Sequence, residues 1–339
     1  MSHLRAFSSP LRLARRAVLG GAAAYAIGCR KRSDDNAEQN PPTSAVGPRT
    51  SVRQPEAEGG ARVAEAAFTE VALEFPSGAV GTEKAIALVP RAGDGPERYP
   101  VLVALHGRGE SVRGVEVGAR GWVDDYDLGR AIARLRSPPL LREDFRGFVD
   151  DARLARINAS LASRPFRGLV VVCPWVPDIL AARDRANLDA ALPFGTFVVD
   201  ELLPRVLAET PALTNRSATG IDGVSLGGRA SLVIGFAHAD RFGAIGTLQA
   251  AIQDSEAGAL AARARVAIAN GALHVRLVTS DRDPFAGAIA QLHSAFDAGH
   301  IDHEYLVIPG PHDYAFNRGP GGIEMLLWHD RVLRGEAPL

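Results

Sequence analysis

The most constraining stretch of this 339-residue chain is Ile221-Asp222-Gly223-Val224-Ser225-Leu226-Gly227-Gly228. A serine with glycine two residues away on each side suits the apex of a tight turn from a strand into a helix. The backbone at such an apex is strained, and a side chain at either flank collides with the neighbouring strand or helix. Gly223 and Gly227 have no Cβ and avoid both collisions. The surroundings agree. Residues 217–221 read as a short buried strand, and from 226 to 238 apolar positions recur at three and four, as on a helix. A helix starting at 226 aims its unpaired N–H groups and positive dipole end at the serine oxygen. The alternative is a glycine-rich turn whose serine merely caps the helix.

The remaining elements follow a consistent pattern. Residues 68–75 and 84–89 alternate apolar and polar, which predicts half-buried antiparallel strands. Continuous apolar runs at 99–105, 168–173, 242–248 and 274–279 predict central strands covered on both faces. Helical periodicity at 197–207, 226–238, 285–296 and 322–333 separates them. Strands alternating with helices predict an α/β fold with a mostly parallel central sheet and helices on both faces. One connection, 110–167, is too long for a simple crossover. This insertion between two core strands holds a helix at 127–135, broken by Pro138-Pro139, and suits either a lid or a structural excursion.

Composition narrows the classes. With 46% hydrophobic residues and a formal net charge of −1, the chain can form one large domain or two small ones. No basic excess is present to hold a phosphate backbone, so nucleic-acid binding has no electrostatic footing. The two cysteines, Cys29 and Cys173, cannot make a disulfide framework. Residues 1–29 read as an export signal. Arg5, Arg12, Arg15 and Arg16 precede an apolar run at 17–27 that is too short to span a bilayer comfortably. Ala26-Ile27-Gly28-Cys29 resembles a bacterial lipobox, in which the cysteine is acylated. The arginine pair at 15–16 resembles a twin-arginine signal. The expectation is export to the periplasm or cell surface and a membrane anchor through Cys29. Residues 30–66, poor in large apolar groups, are expected to be a disordered tether. The folded domain then runs over 67–339.

A serine hydroxyl needs a base to take its proton, and the base needs an acid to hold its tautomer. On a strand–elbow–helix scaffold the order is serine, then Asp or Glu, then His. After the strand ending at Thr279, Asp281 and Asp283 compete for the acid. Asp283 is favoured, because Pro284 suits a helix start and leaves Asp283 on the loop at its mouth. The loser would cap a helix or pair with Arg282. His312 is the candidate base, on the turn Pro309-Gly310-Pro311-His312-Asp313 after the strand 304–308. His238, His293 and His329 fall within helices. His300-x-x-His303 has no carboxylate or third ligand patterned around it, so no metal is expected. The oxyanion donors are expected to be the N–H groups of Leu226 and, on the loop Leu105-His106-Gly107-Arg108-Gly109, of Arg108, with Gly107 next. His106 braces that loop and lies at the substrate side. Trp175, past the strand ending at 173, is either a pocket wall or a core aromatic. Cys173 reads as an inert buried thiol.

On Leu105-His106-Gly107, Gly223-Val224-Ser225-Leu226-Gly227-Gly228, Asp283-Pro284 and His312-Asp313, residues 68–335 resemble the α/β-hydrolase fold. Within that fold they resemble the Putative esterase (esterase D, feruloyl esterase-like) family. The resemblance implies a triad of Ser225, Asp283 and His312, with an oxyanion N–H from Arg108. Leu226 stands where methionine is common, and the 110–167 insertion departs from the pattern. The implied activity is hydrolysis of a small-molecule or polymer-linked carboxylic ester through an acyl-enzyme, with no cofactor. Three alternatives use the same scaffold: acyl transfer to a sugar or lipid, a prolyl-oligopeptidase-like peptidase, and a catalytically silent anchored binding protein.

Overall fold

The computed structural model describes residues 67–78, 81–91, 97–181 and 186–339. The signal expected at 1–29, with Cys29, and the tether expected at 30–66 lie outside the described residues. Among the described residues eight strands form one sheet. They are β1 (Phe68–Gly78), β2 (Gly81–Pro90), β3 (Val101–Leu105), β4 (Val170–Pro174), β5 (Thr219–Gly223), β6 (Ala244–Leu248), β7 (His274–Arg282) and β8 (Glu304–Pro311). The order is β1-β2-β4-β3-β5-β6-β7-β8. The alternating segments make the antiparallel part: β1 pairs with β2 and β2 with β4. The continuous apolar runs pair in parallel from β4 across to β8. This is the division that one-faced and two-faced burial requires.

The helices used below are α1 (Arg108–Ser111), α2 (Leu128–Arg136), α3 (Asp151–Ser163), α4 (Leu192–Phe197), α5 (Leu226–Ala237), α6 (Ala257–Ala269), α7 (Ala286–Ala298) and α8 (Gly322–Val332). They cover both faces. Successive side chains of a strand point to opposite sides, and β3 shows it. Val101, Val103 and Leu105 enter one core, with Phe194 of α4, Ile234 of α5, Leu260 of α6 and Ile289 of α7. Leu102 and Ala104 enter the other, with Leu135 of α2, Ile157 of α3 and Trp328 of α8. Each fully buried Leu, Ile or Phe is worth about 2–3 kcal/mol.

The segment 110–167 supplies much of this second core. Leu128, Ile132, Leu135, Leu140, Phe145, Ile157 and Leu161 are all buried within it. Residues buried in this way cannot swing as a lid, so the part from 128 onward closes one face of the sheet. Residues 108–126 instead lie beside the carboxyl end of β3. Because β3, β5, β7 and β8 run parallel, the chain leaves each of them at the same edge. That edge therefore gathers residues 106–108, 224–226, 283 and 312.

Candidate active site

Ser225 adopts φ 56°, ψ −113°, a region in which an L side chain crowds the backbone. Three hydrogen bonds hold it there. Its N–H donates to the Leu248 carbonyl at the end of β6 (2.9 Å), and its carbonyl accepts from Ala251 (2.9 Å) and Arg229 (3.0 Å). The flanking glycines are sterically required. A Cβ on Gly223 would lie 2.4 Å from the Gly227 carbonyl carbon, and one on Gly227 would lie 2.3 Å from the Leu105 oxygen. Leu226 is the first residue of α5, so its N–H has no acceptor within the helix.

His312 directly follows β8, and its Nδ1 lies 2.8 Å from Asp283 Oδ1. A carboxylate only accepts, so Nδ1 carries the proton and Nε2 keeps the lone pair a base needs. Asp283 is oriented in turn. Thr279 Oγ1 donates to its Oδ2 (2.7 Å) and the Phe285 N–H to its Oδ1 (3.0 Å). The Asp283 side chain is fully shielded, while that of His312 keeps 22% exposure. Asp281 does other work: its Oδ1 accepts from the Gly310 N–H at 2.8 Å, splinting β7 to β8. Asp313 accepts from the Phe316 N–H and caps the short helix Tyr314–Phe316.

Beside the serine runs the loop after β3. A Cβ on Gly107 would lie 3.8 Å from Ser225 Cβ. The Gly107 N–H donates to Tyr126 Oη at 3.1 Å, so Gly107 is spent as a donor. Arg108 opens α1, and its N–H has no intrahelical acceptor. The Arg108 guanidinium turns to Asp178 in a fork, at 2.9–3.1 Å. His106 does not reach a substrate. It is buried, its Nε2 accepts from the Val176 N–H (2.9 Å) and its Nδ1–H donates to the Gly107 carbonyl (2.9 Å). Burial lowers its pKa to about 4, so it stays neutral. Its substrate-side placement is therefore corrected: both ring nitrogens are used to brace the loop against the segment after β4. Trp175 is half-buried, donates Nε1–H to the Ser111 carbonyl (3.3 Å) and lies against Gly118. It packs against the 111–118 segment.

Several further residues join this site by contacts that carry no local sequence signal. Glu110 is buried, and its carboxylate accepts from Tyr126 Oη and from Tyr314 Oη (2.8 Å). It thereby joins the loop at 107 to the turn just after His312. Burial raises the Tyr126 pKa well above its usual value and, with the Glu110 bond, the Tyr314 pKa to about 12. Gln249, at φ 49°, donates from Nε2 to Ser280 Oγ (2.6 Å) and to the Pro311 carbonyl (2.9 Å). It links the ends of β6, β7 and β8. Beneath the elbow, Asp222 Oδ2 accepts from His329 Nε2 at 3.0 Å, both side chains fully buried.

The strand order, the covering helices and the shared carboxyl edge define an α/β-hydrolase fold. A family model described as Putative esterase matches residues 181–314. Those residues contain Ser225, Asp283 and His312. By that match the chain is a carboxylic ester hydrolase. The fold resembles a ferulic acid esterase, with TM-score 0.55, 15% identity, and 79% of this chain and 99% of that chain covered. It also resembles an S-formylglutathione hydrolase from Staphylococcus aureus, with TM-score 0.55, 14% identity, and 78% and 97% covered. A fluorophosphonate-binding serine hydrolase from the same organism has TM-score 0.53 and 13% identity, with 78% and 99% covered. No curated protein sequence matches the chain.

Proposed function

We propose that this chain hydrolyses carboxylic esters by a serine acyl-enzyme mechanism. Ser225 Oγ attacks the ester carbonyl while His312 Nε2 takes its proton. Asp283 holds the imidazole tautomer and stabilises the imidazolium that forms. The N–H groups of Leu226 and Arg108 receive the oxyanion. His312 then protonates the departing alcohol. Water, deprotonated by the same ring, releases the acid and restores Ser225. The observation that carries this reading is the Asp283–His312 pair, seated at the sheet edge that also presents a strained serine at the mouth of a helix. Glu110 and Tyr126 serve it as positioning residues: by holding the Gly107 N–H, Tyr126 orients the loop that presents the Arg108 N–H.

The test is turnover of a p-nitrophenyl short-chain ester by the Ser225→Ala variant. Its loss should be on the order of 10⁴-fold or more, with mass spectrometry locating the acyl group on Ser225 in the parent. Parent-like turnover by the variant would sink the assignment. No particular residue favours acyl transfer, a peptidase or a silent binding protein. The sequence pattern at 1–29 supports, as part of the same proposal, export and acylation at Cys29. Incorporation of an alkyne-tagged fatty acid, lost in Cys29→Ala, checks it.

A further inference from the structure

A second cluster lies where α7 meets the chain entering β8. His293 and Asp297 are four apart on α7 and so share one face of the helix. His303 immediately precedes β8. One ligand atom from each residue lies within 4.8 Å of the others. His293 Nδ1 and His303 Nε2 are 2.8 Å apart, and His293 Nε2 is 3.5 Å from Asp297 Oδ2.

Both rings are held in place by other groups. The Nδ1–H of His303 donates to the Ile301 carbonyl at 2.8 Å, which turns the Nε2 lone pair towards His293. Metal-ligating histidines are commonly fixed by just such a carbonyl on the far nitrogen. His293 stacks on Tyr305, with ring centres 4.3 Å apart and planes 19° from parallel. Phe296 packs edge-on against His303 at 5.0 Å. The Asp297 side chain is 63% exposed, so little packing fixes its carboxylate.

The donor set suits a particular ion. Two imidazoles and a carboxylate favour Zn²⁺ or a similar late first-row divalent ion over Ca²⁺ or Mg²⁺, which prefer oxygen. Tetrahedral bonds of about 2.0–2.1 Å keep ligand atoms roughly 3.3 Å apart. The two ring nitrogens therefore need to open by about half an ångström, and His293 has to move its proton from Nδ1 to Nε2. Water completes the fourth position. His300, the nearer sequence partner of His303, is not in the group.

We propose that His293, Asp297 and His303 form a zinc-class metal site that staples α7 to the start of β8. Among the described residues β8 is last in the sheet order and pairs with β7. His303 and His312 flank opposite ends of this strand, about 30 Å apart at 3.3 Å per residue. The site is thus structural. It secures the strand that carries His312 and takes no part in reaction at Ser225.

The full-length chain, stripped with chelator and dialysed, is titrated with ZnCl2 by calorimetry, and its thermal midpoint is recorded with and without Zn²⁺. The parent should show a saturable site in the micromolar range or tighter and a midpoint raised by several degrees at saturation. Both should vanish in His293→Ala/His303→Ala. Asp297→Asn, exposed and harmless to the fold, should bind about tenfold or more weakly. An isotherm unchanged in the double variant, or no saturable binding in the parent at 100 µM Zn²⁺ (about 100 times a micromolar Kd), overturns the proposal. Collapse of ester turnover at 25 °C on stripping overturns its structural character. The proposal does not depend on the serine mechanism, since binding and midpoint are read without substrate.

Discussion

Glu110 illustrates how much of this site depends on one side chain. Its two oxygens serve hydroxyls from residues 16 and 204 positions away, Tyr126 and Tyr314. Replacing it with glutamine leaves one acceptor oxygen where two are needed. One tyrosine then loses its partner, and either the loop at 107 or the turn after His312 loosens. Glu110→Gln should lower kcat about 10- to 100-fold, less than outright loss of an oxyanion donor, with KM nearly unchanged. Steady-state kinetics decide it: a shift confined to KM would argue for a binding role. Tyr126→Phe should behave alike, since it frees the Gly107 N–H and redirects the loop.

The elbow fails or holds as a unit. Strand β5, the turn at Ser225 and helix α5 approach β3 so closely that a Cβ on Gly227 would meet two backbone carbonyl oxygens, at 2.3 Å on Leu105 and 2.6 Å on His106. Backbone cannot rotate aside as a side chain can. Gly227→Ala should therefore cost about 3 kcal/mol or more of stability, visible as a lowered denaturant midpoint, and should also displace Leu226. The support beneath is equally exacting. Gly246 leaves room for the Asp222 carboxylate, which a Cβ there would meet at 1.9 Å. His329 partners that carboxylate from α8. His329→Ala leaves Asp222 buried without its imidazole partner, an expected loss of about 3–5 kcal/mol. A denaturation curve within 1 kcal/mol of the parent would show that Asp222 draws its stability elsewhere.

Over the whole molecule, buried titratable groups shape the pH dependence of stability. The unfolded chain protonates His106 near pH 6.5 and the folded chain only near pH 4. Between those values the unfolded state binds the extra proton, so stability falls as pH drops through that window. His329, its pKa lowered by burial, acts in the same sense. Glu83 acts oppositely. Buried on β2 without a hydrogen-bond partner and facing the charge of Glu201, its carboxyl has its pKa raised from 4.5 to about 8. The folded state holds that proton and the unfolded state does not, so stability falls as pH rises from 4.5 to 8. Below pH 6.5 the two histidines oppose Glu83, and from pH 6.5 to 8 Glu83 alone of the three lowers stability as pH rises. Glu83→Gln should remove most of the decline between pH 6.5 and 8. Chemical denaturation of parent and variant across pH 4–9 checks this, and an identical alkaline limb would contradict it.

What could be read from the residues was whatever depends on local spacing. Gly223 and Gly227 around Ser225 define the elbow, because a strained serine tolerates no neighbouring Cβ. Apolar runs against alternating ones separate the parallel from the antiparallel strands, because two-sided and one-sided burial need different patterns. The positions of Asp283 and His312 just after strands single them out, and the structure brings these two into hydrogen-bond contact. Tertiary structure alone decided the rest. His106 reads as a loop brace at the substrate side, and folding keeps the brace but occupies both its nitrogens. The 110–167 insertion suits either a lid or a structural excursion, and the burial of residues between 128 and 161 makes that part core. Glu110 met two tyrosines, and His303 met a histidine and an aspartate on α7 rather than His300. In each case the deciding contact joins groups that local spacing does not bring together, such as the Val176 N–H on His106 or Tyr314 on Glu110, and only the packing of strands and helices sets such distances.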